Sequence, residues 1–104
     1  MGEGLGALQA WFAAHCDGNW EQEYGVSIGT IEDPGWELRI DLVGTPLEGS
    51  AHDPERTARA PEDWCEARSD GYTFHAMGGP HNLGELLDAF ASFAERHVTS
   101  ARSS

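Results

Sequence analysis

The densest group of chemically capable side chains is the run Cys16-Asp17-Gly18-Asn19-Trp20-Glu21-Gln22-Glu23-Tyr24-Gly25, which sets three carboxylates and two aromatics in ten residues. Paired carboxylates such as Asp17 and Glu21 do general acid–base work only when one is held protonated, and that takes burial in an apolar pocket. An acidic loop containing Gly and Asn supplies no such pocket. Aromatics beside charges are instead the composition of a protein-binding hot spot, so Asp17, Trp20 and Glu21 become candidate partner contacts. The same residues also suit a purely local role, in which Asp17 and Asn19 turn or cap the chain and Trp20 and Tyr24 fill a core edge.

Metal ligation is the rival chemistry, with His15, Cys16, Asp17, His52, His75 and His81 as available donors. None forms an i, i+4 His pair or a CxxC unit, so no metal and no cofactor is expected. Nucleophilic catalysis has no better footing, because Cys65 sits mid-strand with no His or Asp that spacing places beside it. Gly78-Gly79-Pro80-His81-Asn82 precedes a helix and could hold an anion at its N-terminus. Turning the chain into the helix accounts for it more simply. No catalytic residue is assigned and the chain is read as a non-enzyme.

Charge narrows the partner class. Eighteen Asp and Glu stand against six basic residues, all Arg, for a formal net charge of −12 over 104 residues. A field of that sign repels phosphate backbones and attracts basic proteins, so direct nucleic-acid binding is excluded from the reading. Acidity can also serve solubility alone. The N-terminal stretch has no basic segment and carries Glu3, unlike a secretory signal, and no apolar run approaches the length of a membrane span. A soluble cytoplasmic chain is therefore expected. Cys16 and Cys65 lack the spacing of a disulfide framework and read as reduced core thiols.

The elements that must position these residues follow from periodicity. Leu5, Leu8, Trp11, Phe12, His15 and Cys16 recur at helical spacing, and Asp17-Gly18-Asn19 stops the run. From Tyr24 the period becomes two: Tyr24, Val26, Ile28 and Thr30, then Trp36, Leu38, Ile40 and Leu42, flanking Asp33-Pro34-Gly35. Only an odd-length loop places both sets on one face, which predicts a three- or five-residue turn of unassigned type and puts Glu37, Arg39 and Asp41 on the other face. Thr45 to Pro54 is turn-rich, and Glu55 to Ala60, lacking an apolar face, reads as a weak edge strand or a loop.

Trp64 to Ser69 and Tyr72 to Met77 flank Asp70-Gly71, a two-residue hairpin signal that pairs Ser69 with Tyr72. Cys65, Ala67, Tyr72, Phe74 and Ala76 then share the core face, and Trp64, Glu66, Arg68, Thr73, His75 and Met77 the other. Asn82 with Glu85 fits a capping arrangement ahead of Leu83, Leu86, Leu87, Phe90, Phe93 and Ala94, predicting a second helix to about His97. The class is α+β: an antiparallel sheet of four or five strands with an N-terminal and a C-terminal helix packed on one face. One domain spans 5–97, with 1–4 and 98–104 as flexible ends. The uncovered face should carry Glu37, Asp41, Trp64, Glu66 and His75, a mixture of carboxylates and large side chains that suits a partner.

Taken together, Trp11, Cys16-Asp17-Gly18, Trp20-Glu21, Tyr24-Gly25, Asp33-Pro34-Gly35-Trp36, Trp64, Gly78-Gly79-Pro80 and Asn82-Leu83 resemble the immunity protein 53 family of bacterial polymorphic toxin systems. The resemblance runs from about Leu8 to Phe93; Asn19 stands where an acidic residue is expected, and Gln22 where His is. It implies an antitoxin-like inhibitor that binds a cognate toxin in the cytoplasm, and it carries over no catalytic residue. Joined to the charge, the expected partner is a basic toxin, with a nuclease as the leading class. Trp20 and Trp64 are the expected anchors, and Asp17, Glu21, Glu37, Asp41 and Glu66 the counter-charges. The alternative is an acidic adaptor with a non-toxin partner. Toxin identity and oligomeric state stay open.

Overall fold

A computed structural model describes residues 3–32 and 34–103. Helix α1 (Glu3–His15) leads through a single helical turn, α2 (Trp20–Glu23), into strands β1 (Val26–Ile31), β2 (Gly35–Asp41), β3 (Ala51–Ala60), β4 (Asp63–Asp70) and β5 (Thr73–Gly78), and helix α3 (Leu83–Ser103) closes the chain. The five strands form one sheet in the order β1-β2-β5-β4-β3, all neighbours antiparallel. The α+β architecture expected from periodicity is the one observed.

The alternation in β2 decides which way the sheet faces. Leu38 and Ile40 are fully buried and meet Phe74 and Ala76 of β5, while Leu86, Phe90 and Phe93 of α3 cover them. The three phenylalanines pack tilted or edge to face with centroids 4.9–6.3 Å apart, the arrangements aromatic quadrupoles favour. α3 lies directly on the sheet; α1 runs along α3 and reaches the core through Leu8 and Trp11, whose ring stands edge-on to Phe90. Leu5, expected on the apolar stripe, is exposed, while Leu8 on the next turn is buried.

The first hairpin closes with an odd loop, as parity requires: Ile31 pairs with Gly35 and Val26 with Ile40, so Val26, Ile28 and Thr30 share a face with Trp36, Leu38 and Ile40. Asp33, within the turn, lies outside the described residues. The second hairpin differs from the expectation by two residues, since Ser69 pairs with Phe74 and not with Tyr72. The cause is local: Asp70 Oδ1 accepts the Tyr72 and Thr73 N–H groups, both at 2.9 Å, and Gly71 takes a φ of 95°. This Asx turn widens the loop. A shift of two preserves parity, so the assigned faces hold except for Tyr72, which at 59% exposure leaves the core face.

Two further differences concern length. The edge strand begins at Ala51, well before Glu55, and keeps its pairing to β4 through two irregularities, between His52 and Glu55 and between Ala58 and Ala60. Helix α3 continues past His97 to Ser103, and α1 already includes Glu3. Gly4 packs so closely on α3 that a Cβ there would lie 2.6 Å from the Asp88 backbone nitrogen. Met1, Gly2 and Ser104 lie outside the described residues. Cys65 is buried and Cys16 exposed, so only one of the two expected core thiols is in the core.

Candidate protein-binding surface

The candidate residues fall into two groups. At the end of the sheet where β2 finishes, Asp17, Trp20, Glu21 and Asp41 come together. Asp17 Oδ1 accepts the N–H groups of Asn19 (2.9 Å) and Trp20 (3.0 Å), and these bonds hold its carboxyl below the ordinary range, the Trp20 N–H having the larger effect. Glu21 answers in the reverse direction, taking the N–H groups of Asp17 and Gly18 on its two oxygens. The loop thus folds into a reciprocal cap that starts α2. Asp41 Oδ2 accepts the Gly25 N–H at 3.0 Å and joins this loop to β2.

Trp20 is the pin on which that end is assembled. Its indole N–H donates to the Val43 carbonyl at 2.7 Å, and its ring is ringed by Trp11, Phe12, His15 and Tyr24 with centroids 5.7–6.3 Å away. At 7% exposure it is an interior residue, so it does not stand free as an anchor in the unbound chain. Gly44, beside the Trp20 ring, donates its N–H to Glu48. Exposed Glu23 and Glu48 therefore extend the acidic end. Glu48 was missed in the sequence because only the Trp20–Val43 contact brings the loop at 43–48 beside α2.

The second group occupies the sheet face that the helices leave uncovered. Register places Glu66, Met77 and Glu37 in one row across β4, β5 and β2, and Arg68, His75 and Arg39 in the next. Glu37 accepts a 2.7 Å hydrogen bond from His75 Nε2, which lowers its pKa, and lies 3.7 Å from Arg39. Glu66 pairs with Arg56 at 3.2 Å. The Arg56 guanidinium also lies 4.6 Å above the centroid of Trp64, a cation–π contact that helps reduce the indole to 8% exposure. Trp64 is on the expected face but beneath an arginine, since a guanidinium sheds its hydration readily enough to stack on a ring.

This face is consequently of mixed sign, with Arg39, Arg56 and Arg68 alternating with Glu37 and Glu66. A shallow cavity of about 480 Å³ opens on it between Arg39, Arg68, Thr73 and His75. Asp17, Glu21, Glu23, Asp41 and Glu48 gather at the Trp20 end, and no arginine stands in the sequence from Cys16 to Leu38. The histidines go separate ways: His15 hydrogen-bonds the Trp11 carbonyl, His52 lies beside Glu55 and Phe93, and His75 meets Glu37. Among the described residues no three His, Cys, Asp or Glu side chains are grouped as metal ligands would be. No described helix is long and apolar enough to cross a membrane.

Gly78-Gly79-Pro80 and Asn82 have a structural duty. Gly79 donates its N–H to the Trp64 carbonyl at 3.1 Å, and a Cβ on it would overlap the Glu62 carbonyl oxygen. The Pro80 carbonyl accepts the Trp36 indole N–H at 2.9 Å. Asn82 and Glu85 do meet, but as side chains: Asn82 Nδ2 donates to Glu85 and to Asp63, and Arg59 bridges the same two carboxylates. The residues shared with the resembled family thus fix the two turns, around Trp20 and around Gly79, that frame the sheet. No curated protein and no solved structure matches the chain. The family model described as Immunity protein 53 matches residues 5–95, and the chain belongs to that family.

Proposed function

We propose that this chain neutralises its cognate toxin by occupying a basic surface of it, and that the toxin is a nuclease whose cationic active site is the surface covered. Family membership makes the chain an immunity protein for a toxin. The observation that carries the finer reading is the net charge of −12, with Asp17, Glu21 and Asp41 beside Trp20 in a stretch that has no arginine from Cys16 to Leu38. An electronegative patch accelerates encounter with a cationic partner, while close packing sets how slowly it leaves.

Asp17, Glu21 and Asp41 supply the counter-charges at this end. Each uses part of its hydrogen-bonding capacity on backbone N–H groups, which fixes the carboxylate and leaves acceptor lone pairs for toxin Arg or Lys. On the open face, Glu37 and Glu66 would exchange Arg39 and Arg56 for toxin cations. Trp20 and Trp64 act from beneath, Trp20 by holding the acidic loops together and Trp64 as the ring on which a toxin cation stacks once it displaces Arg56. The complex forms in the cytoplasm of the bacterial producer, before the toxin can act there.

The test is co-expression with the toxin domain encoded beside this chain. Growth rescue with co-purification of a complex supports the reading. Association should slow by about tenfold or more as ionic strength rises from about 0.05 M to 0.5 M, since the Debye length shrinks by about a factor of three. The variant Asp41→Asn, which keeps an acceptor for Gly25, should slow association without altering the fold. A complex whose association rate ignores salt and Asp41→Asn would refute electrostatic docking.

A further inference from the structure

The two edges of the sheet are built differently. The β3 edge carries Pro54, the charged residues Asp53, Glu55, Arg56 and Arg59, and two register irregularities. These are the devices by which proteins prevent another strand from adding to an edge. The β1 edge has none of them: its sequence is Val-Ser-Ile-Gly-Thr-Ile, its register to β2 is regular over all six residues, and Ile28 is 44% exposed.

The hydrogen-bond phase identifies which backbone groups are free. Asp41 N–H donates to the Gly25 carbonyl at 3.0 Å, and this pair continues the register of Val26 with Ile40. In an antiparallel ladder the residues of every second pair bond each other, and those between turn their groups away. Gly25, Ser27, Gly29 and Ile31 therefore face β2, whereas Val26, Ile28 and Thr30 point N–H and C=O outward to where the sheet ends.

We propose that β1 is a strand-addition site, at which an extended segment of the toxin bearing Lys or Arg at both ends pairs with Val26, Ile28 and Thr30. This rests on the inhibitor reading above and names how the partner is held. The occupant's charge follows from what flanks the strand: exposed Glu21 and Glu23 precede it and exposed Glu32 follows it. A second copy of this chain would set those carboxylates against their equivalents and join two molecules of charge −12. A basic segment meets complementary charge at each end, while main-chain hydrogen bonds supply affinity along the middle.

Thr30→Pro provides a selective test, because it removes an outward N–H without touching the β2 ladder, a position where an edge strand accepts proline. Thr30→Ala keeps that N–H. With the full-length chain and the cognate toxin domain, Thr30→Pro should weaken binding by about tenfold or more and Thr30→Ala by about twofold or less, one lost main-chain bond plus a steric clash being on the order of 1.4 kcal/mol. In the wild-type complex, amide hydrogen exchange at Val26, Ile28 and Thr30 should slow. This measurement decides the question if Thr30→Pro does not fold.

A wild-type complex with unchanged exchange at these amides overturns the strand-addition proposal and leaves the inhibitor reading standing. Absence of any wild-type complex overturns both. A dimer of this chain alone that Thr30→Pro dissolves assigns the edge to a second copy and overturns the proposed occupant.

Discussion

Asp17, Glu37 and Asp63 show how a carboxylate's chemistry here is set by its immediate neighbours. Asp63 is held at about 2 by hydrogen bonds from Arg59 and Asn82, and hydrogen bonding from His75 lowers Glu37. A carboxylate whose folded pKa lies below its unfolded value of about 4 stabilises the fold above that pH and loses the contribution as pH falls. The carboxylate contribution should therefore be complete above about pH 4 and decline from about 4 toward 2. Asp63→Asn should reduce that decline, as read by urea midpoints across the range. The thiols differ in the same local way. Cys65 is pushed up to about 11, chiefly by burial, and Cys16 is exposed. Desolvation and the nearby Glu21 and Asp17 carboxylates raise Cys16 as well, so a thiol reagent should modify Cys16 of the native chain slowly but ahead of Cys65, which reacts on unfolding. Reading Asp17 as a turn former was possible from Asp-Gly-Asn alone. For Trp20 the sequence offered a core edge or a partner contact, and the choice depends on the Val43 carbonyl, 23 residues away, which takes its Nε1–H.

At the scale of elements, alternation was the dependable signal and loop closure the weak one. The parity of Leu38 and Ile40 against Glu37, Arg39 and Asp41 fixed the two faces of β2 without reference to any contact. In the second hairpin a two-residue shift went undetected because it leaves parity unchanged, and Asp70 chose the wider turn through its own side chain. The length of β3 was hidden for a different reason: an edge strand with no buried face has no hydrophobic period, and backbone pairing to β4 with the Arg56 and Arg59 side-chain contacts maintains it. Leu47, fully buried within a turn-rich segment, gave no periodic signal either. The Gly79 turn is the most demanding connection. Gly79→Ala should cost about 1–3 kcal/mol in chemical denaturation, since the added Cβ would meet the Glu62 carbonyl and Asn82 Oδ1. Phe90→Ala should cost about 3–5 kcal/mol through the cavity left between α3 and β5.

For the whole molecule, the total charge was readable from the sequence, but its placement was not. Three of the six arginines lie on the uncovered sheet face among Glu37 and Glu66, so that face is of mixed sign. Self-repulsion at −12 should make the free chain more stable as salt rises, while binding to a basic toxin weakens over the same range. Melting temperature and association rate, measured over one salt series, should move in opposite directions. By itself the sequence determined the types of the two long helices and of β1, β2, β4 and β5, the faces of β2, β4 and β5, and the sign of the field, because periodicity, parity and net charge are properties of neighbours along a chain or of a sum; the α2 turn and the strand at Ala51–Ala60 were not legible in it. Only tertiary structure decided that Trp64 lies under Arg56, that Trp20 ties α2 to the loop after β2, and that β1 ends the sheet uncovered. Those depend on which distant segments meet, and packing around one shared core, with no local preference to announce it, settles that.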